Sequence, residues 1–452
     1  MKMKIATAAI LLLAIAFLLP LHSDTIALQG LNPGEVRLGL AIFVCIAFLW
    51  MTEALPLAIT ALLVPVLAAA MGLGGIKESL ASFAAPPIFL FFGGFALASA
   101  LSAQGLDRWL AEKLARLGKG RFVRVSILLF IATALLSMWM SNTATTAMMI
   151  PLALGILGRF KADGAGAHNA HFLLLGLAYS ASIGGLGTIV GSPPNGIAAK
   201  QLGITFSQWM SFGIPAVILL LPVMILVLHL LLKPSDVSAV IQDEENITFT
   251  RARKITLAIF ALTALAWIFS SKIAALTAIS DTDTWIALAA VALLAASRVV
   301  SWEEINRGTD WGVLLLFGGG LALSGILGSS GTSLFMARLL GAAIEAWPLW
   351  AIITAVVAFV IFLTELSSNT ASAALLVPIF YSMAKEFNLP AAQLILPLGI
   401  AASCAFMLPV GTPPNAIAYA TGRIPQPVML RAGFVLNLLF IILITAMSLI
   451  LF

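Results

Sequence analysis

The chain has 452 residues, 61% of them hydrophobic and only 10% charged, with a net charge of +5. Soluble domains carry about 45–50% apolar and about 25% charged residues, so this composition excludes a water-soluble enzyme, a secreted domain and a nucleic-acid binder. Two cysteines, Cys45 and Cys404, lie inside apolar runs and suit neither a disulfide framework nor a metal cluster; His22, His168, His171 and His229 show no zinc-ligand spacing.

A transmembrane helix needs about 20 mostly apolar residues. In chain order, the apolar runs predict eleven spans, at 5–21, 37–51, 55–72, 86–104, 171–188, 209–232, 255–271, 284–297, 311–328, 391–408 and 432–451. The first follows Met1-Lys2-Met3-Lys4, has no small-x-small cleavage site behind it, and reads as a retained helix rather than a signal peptide. Two further apolar segments, 122–160 and 349–384, are interrupted by Ser-Asn-Thr and Ser-Ser-Asn-Thr and read as re-entrant hairpins. Residues 105–121 place Leu106, Trp109, Leu110, Leu114 and Leu117 at helical spacing opposite their charges, which predicts an amphipathic interfacial helix. Residues 233–254 form the longest polar stretch and read as a cytoplasmic linker. With the N-terminus inside, 18 of the 24 basic residues fall on the cytoplasmic side and 6 outside, and the C-terminus lies outside.

The chain repeats itself. Phe92-Gly93-Gly94 with Ser99 recurs as Phe317-Gly318-Gly319 with Ser324, Ser141-Asn142-Thr143 as Ser368-Asn369-Thr370, and Gly191-Ser192-Pro193-Pro194-Asn195 as Gly411-Thr412-Pro413-Pro414-Asn415. The offsets are 225, 227 and 220, in the same order. The division is then an N-terminal helix at 1–36, a first repeat at 37–232 with its hairpin at 122–160, the linker at 233–254, and a second repeat at 255–452 with its hairpin at 349–384. Five spans per repeat invert the second copy, which is the architecture of secondary transporters with a site near the midplane.

Broken helices in hydrocarbon survive only where they are buried or line a cavity. Carbonyls before a break become available to a cation, and N–H groups of the helix after it favour an anion. The Ser-Asn-Thr tips add hydroxyl and amide groups. No Lys or Arg lies in either tip or either Pro-Pro break, so a bound anion needs cations as its countercharge, and oxygen-only surroundings suit sodium. Two acids adjoin apolar regions. Glu53 sits in a turn between spans, whereas Glu365, three residues before Ser368, could tune the site, carry a proton or make a structural hydrogen bond.

At the Ser-Asn-Thr and Pro-Pro-Asn residues the chain resembles the divalent anion–sodium symporter family, the INDY-type sodium–dicarboxylate transporters, over nearly its whole length. The resemblance implies an all-α polytopic protein of a bacterial cytoplasmic (inner) membrane. It would have about eleven transmembrane helices, two re-entrant hairpins, two inverted-topology repeats, and a homodimeric scaffold beside an elevator-type transport domain. It implies a first sodium site at Ser137, Ser141, Asn142 and the carbonyl of Gly191. A second would use Thr364, the carbonyl of Ser367, Asn369 and the carbonyl of Gly411. The dicarboxylate would contact Asn142, Thr143, Ser192, Ser368, Thr370, Thr412 and Pro413. The expected function is symport of succinate, fumarate or malate with two or more Na+, with no enzymatic activity and membrane lipid as surroundings. The alternative is a proton-coupled or exchange transporter of di- or tricarboxylates or sulfate, with Glu365 carrying the proton.

Overall fold

The computed structural model describes residues 2–19, 28–159, 166–238, 248–344 and 347–451. Among them, α-helices account for nearly all regular structure, and the one isolated β-bridge joins Arg121 to Ser238. The first half runs α1 (Lys2–Leu18), α2 (Pro33–Thr52), α3 (Leu57–Ala70), α4 (Ile76–Ala81), α5 (Pro86–Ala103), α6 (Leu106–Arg116), α7 (Phe122–Ser137), α8 (Asn142–Arg159), α9 (Gly166–Gly184), α10 (Pro193–Leu202) and α11 (Phe206–Leu232). The second runs α12 (Arg251–Ile268), α13 (Ser270–Thr277), α14 (Thr282–Ala296), α15 (Trp302–Gly308), α16 (Trp311–Ser329), α17 (Thr332–Ile344), α18 (Leu349–Thr364), α19 (Asn369–Glu386), α20 (Ala391–Ala401), α21 (Pro413–Ala420) and α22 (Gln426–Leu451).

Helices α2 to α11 recur in order as α12 and α14 to α22, with α13 inserted after a 76° bend. Among the described residues six helical stretches are long and apolar enough to cross a bilayer, and the bent α12–α13 pair makes a seventh. The remaining expected spans are shorter. The 14 residues of α3 rise about 21 Å against a hydrocarbon thickness of about 30 Å, whereas α4 runs on into α5 as the stretch Ile76–Ala103.

The two halves pack crosswise, α3 on α16 and α5 on α14. The Phe-Gly-Gly repeats sit at these contacts. A Cβ at Gly93 would lie 2.6 Å from the Cβ of Ala287, and one at Gly319 would lie 2.5 Å from the Cβ of Ala61. Phe91 and Phe317 meet with ring centroids 5.6 Å apart. The structural equivalence therefore pairs Phe91 with Phe317 and Gly93 with Gly319, one position away from the register expected from Phe92-Gly93-Gly94. The three consecutive glycines at 318–320 let the sequence comparison slide by a residue.

The second group of helices is α7–α11 with α18–α22, in which α9 carries α7, α8 and α11, while α20 carries α18, α19 and α22. One predicted span is corrected. The apolar run at 391–408 is not one helix, because α20 stops at Ala401 and the chain continues without regular helix to Thr412. The amphipathic helix expected at 105–121 is α6, shorter at its C-terminal end. The linker begins against the second group of helices. Phe122 N donates to Val237 O at 3.0 Å, and Asn169 exchanges hydrogen bonds with Ser235 at 2.8 and 3.3 Å. Residues 239–247 of that linker lie outside the described residues.

Candidate functional site

The Pro-Pro pairs do not kink a helix; they start one. Pro193-Pro194 and Pro413-Pro414 occupy the first positions of α10 and α21, where an N–H would have no intrahelical acceptor. The chain before each pair is unwound, and the asparagine after it holds the unwound carbonyls. Asn195 Nδ2 donates to Gly185 O at 2.8 Å and Thr188 O at 2.7 Å; Asn415 Nδ2 donates to Ala405 O and Leu408 O, each at 3.0 Å. An unpaired carbonyl in an apolar surround costs several kcal/mol, so one amide per break keeps each unwound segment stable. The two breaks are also joined. Ser192 Oγ lies 2.9 Å from Ser403 Oγ, and the Tyr179 hydroxyl donates to Phe406 O at 2.6 Å.

Each hairpin tip meets a break in the middle of a span. Ser137 Oγ donates to Ala181 O at 2.7 Å and lies 2.7 Å from Asn142 Oδ1. That amide oxygen faces Ala181 O at 3.0 Å and Gly191 O at 3.2 Å as well. Turning the amide over lets its NH2 donate to all three oxygens, the orientation that the cluster's own hydrogen bonding favours. A Cβ on Gly185 would fall 2.9 Å from Gly191 O and still closer to Asn142 Oδ1, so glycine there keeps the cradle open. The second half repeats the arrangement: Thr364 Oγ1 donates to Asn369 Oδ1 and lies 3.0 Å from Ala402 O. Hydroxyl and carbonyl oxygens line both cradles, and the amide oxygens of Asn142 and Asn369 can join them, a donor set that suits a hard cation. Among the described residues no group of three His, Cys, Asp or Glu side chains could hold a metal.

The structure thus brings Ser137, Asn142 and Gly191 together, and Thr364 with Asn369. Other expected residues have different local tasks. Ser141 Oγ accepts from Ala144 N at 3.2 Å and Ser368 Oγ from Ala371 N at 3.5 Å, so both cap the second arm of a hairpin. Thr412 Oγ1 accepts from Asn415 N at 3.2 Å and caps α21. The Ser367 hydroxyl turns back into its own hairpin, toward Leu363 O and Ser372 Oγ. Gly411 packs against Glu365, where a Cβ would lie 3.0 Å from Oε2. Thr370 is buried, whereas Thr143 and Pro413 are exposed. Sequence reasoning missed the roles of Asn195, Asn415, Ser403, Tyr179 and the carbonyls of Ala181 and Ala402. Only the two asparagines left a signal, as the last residue of each Pro-Pro-Asn copy.

Four helices end at this site (α7, α9, α18, α20) and four begin there (α8, α10, α19, α21). The helix ends offer carbonyl oxygens to cations, and the helix starts offer N–H groups and partial positive charge to an anion. Access to the site is one-sided. Thr143, Ala144 and Ala147 on α8, and Val410, Pro413 and Ala416 at α21, are exposed. Their counterparts Thr370, Ala371 and Ala374 on α19, and Val190 and Gly196 at α10, are buried. Val410 is 70% exposed and Val190 is 5% exposed. The covering comes from α5 and α16: a Cβ on Gly196 would strike Phe91, and one on Gly320 would lie 2.8 Å from the Cβ of Ala374.

A family model described as a citrate transporter matches residues 47–392. An uncharacterised transporter of Haemophilus influenzae is 50% identical over 419 residues, covering 91% of this chain and 90% of that one. The sodium-dependent dicarboxylate transporter SdcS of Staphylococcus saprophyticus is 34% identical over 446 residues, covering 90% and 84%. Among solved structures, the Alcanivorax borkumensis YdaH transporter aligns with a TM-score of 0.53 at 15% identity, covering 82% of this chain and 86% of that one, a likeness of fold. The chain belongs to the citrate transporter family, with the sodium-dependent dicarboxylate transporters among its relatives, and is an all-α integral membrane transporter rather than an enzyme.

Proposed function

We propose that the chain is a sodium-coupled symporter of C4-dicarboxylates such as succinate, fumarate and malate. The observation that carries this reading is the pair of all-oxygen cradles beside four converging helix starts, with no basic side chain in the tips or breaks. A dianion held by partial charges alone leaves uncompensated charge in a low dielectric, which is costly by many kcal/mol. Two or more Na+ entering with it supply the countercharge. Ser137, Asn142 and Gly191 hold one ion, Thr364 and Asn369 take part in the other, and Ser141, Ser367 and Gly411 complete them through backbone or hydroxyl oxygen. Asn142, Thr143, Ser192, Ser368, Thr370, Thr412 and Pro413 surround the anion.

The helices α7–α11 and α18–α22 form the moving unit in this reading, and α2–α5 with α12–α16 form a scaffold that pairs two copies of the chain. The exposed α8–α21 side is the cytoplasmic opening, because Arg159 ends α8 and Arg423 follows α21 by three residues. The membrane is the bacterial inner membrane, with the N-terminus inside. Proton coupling through Glu365 is disfavoured by its surroundings, since the carboxylate accepts from Phe406 N, Met407 N, Leu408 N and Asn437 Nδ2. Calorimetric titration of the purified protein with succinate tests the reading. Binding is expected only with sodium present, with potassium a poor substitute. Linkage requires succinate to tighten sodium by the same factor. Equal succinate affinity in sodium and in choline would overturn it.

A further inference from the structure

Glu365 ends the first arm of the second hairpin and is 2% exposed. Its Oε1 accepts from Phe406 N at 2.6 Å, Met407 N at 2.9 Å and Asn437 Nδ2 at 2.7 Å, and its Oε2 from Leu408 N at 3.1 Å. Three of these donors are consecutive backbone groups of the unwound segment after α20, and the fourth is on α22. One carboxylate therefore ties the hairpin tip, the break and the last helix together. Among the described residues the first hairpin tip has no such group. Met138 stands where the second half has Glu365, and Thr188 where it has Leu408. There a neutral hydroxyl makes the tie: Thr188 Oγ1 donates to Met138 O and accepts from Gly191 N at 3.2 Å.

The difference bears directly on the second cradle. Glu365 follows Thr364, whose hydroxyl is part of it, and packs against Gly411. Charge-assisted hydrogen bonds are roughly twice as strong as neutral ones, so the second tip is held more firmly to its break than the first. A cradle that is already formed spends less binding energy on ordering its ligands. Resting on the sodium-coupled reading above, we propose that Glu365 is a positioning residue that makes the second-half sodium site the tighter of the two, so that it fills first.

Equilibrium binding of radioactive sodium to the purified protein in lipid nanodiscs tests this. The intact chain is expected to show two components of different affinity. Glu365→Gln is expected to weaken the tighter component by about 10-fold and to leave the other within about twofold. Thr188→Val is expected to weaken only the looser one. The double variant Glu365→Met with Leu408→Thr writes the first half's neutral tie into the second half, so it carries the test should Glu365→Gln not fold; its two components are expected to merge. A single component in the intact chain, an equal shift of both components in Glu365→Gln, or a tight component that survives the double variant would each overturn the proposal. An intact chain that binds no sodium at all would remove the functional reading itself, and this inference with it.

Discussion

Asn142 and Thr370 sit on opposite halves of the site, and each can be removed without disturbing a helix cap. Asn142→Ala or Thr370→Ala is expected to weaken succinate binding by about 1–3 kcal/mol, the cost of leaving a buried polar partner unpaired. Calorimetry at saturating sodium checks this, and unchanged affinity would reduce the Ser-Asn-Thr tips to packing devices. Asn195 and Asn415 answer to a different measurement. Each donates to two carbonyls of an unwound segment. Asn195→Ala or Asn415→Ala removes the amide and strands those carbonyls, at about 1–3 kcal/mol apiece. The melting temperature in detergent should fall for both variants, whether or not substrate is present. An unchanged melt would show that the breaks are held by other contacts.

Trp139 gives the first hairpin tip a contact that the second lacks. Its ring stacks on Trp267 with centroids 6.2 Å apart and meets Phe260 edge-on at 5.2 Å; Phe206 stacks on Trp267 at 4.8 Å. Asp283 Oδ2 accepts from Phe206 N at 2.8 Å, so α14 also reaches the start of α11. The counterpart of Trp139 is Leu366, which is 68% exposed. These contacts join α12 and α14 to the helices that carry the site, and on the proposed reading they are expected to favour the arrangement open along α8 and α21. Aromatic pairs contribute about 0.5–1.5 kcal/mol each beyond their buried area. Trp139→Ala should therefore shift the balance toward the opposite conformer by about 1–3 kcal/mol. A reporter cysteine at Ala147 should become less reactive toward an impermeant thiol reagent from the α8–α21 side, against a background in which native Cys45 and Cys404 are buried. Undiminished labelling would mean that the aromatic contact does not hold this conformer.

The hairpins and breaks were legible because their signals are local: a polar triplet inside an apolar run, and two prolines that can only begin a helix. The amphipathic α6 was legible for the same reason. The unwound stretch after Ala401 was not, because Ala402 to Val410 is as apolar as a span. What stops the helix there is the Glu365 carboxylate and the Asn415 amide, and Glu365 lies some 40 residues away in sequence. The site carbonyls of Ala181 and Ala402 were invisible for a related reason. Any residue type can supply a carbonyl, and only the fold chooses which ones face a hairpin tip.

The duplicated chain makes two similar cradles, but the two are covered differently. α5 and α16 press on α10 and α19 and leave α8 and α21 open. Exchanging which pair is covered would open the site to the other face, which is the minimum an alternating-access transporter requires. In the proposed reading sodium is the countercharge that lets a dianion occupy this site. Uptake of radiolabelled succinate into proteoliposomes, with either an inward sodium gradient or an inward proton gradient imposed alone, separates sodium from proton as that countercharge. Uptake is expected with the sodium gradient, and no concentrative uptake with the proton gradient. Uptake that follows the proton gradient in the absence of sodium, and that Glu365→Gln abolishes, would contradict it.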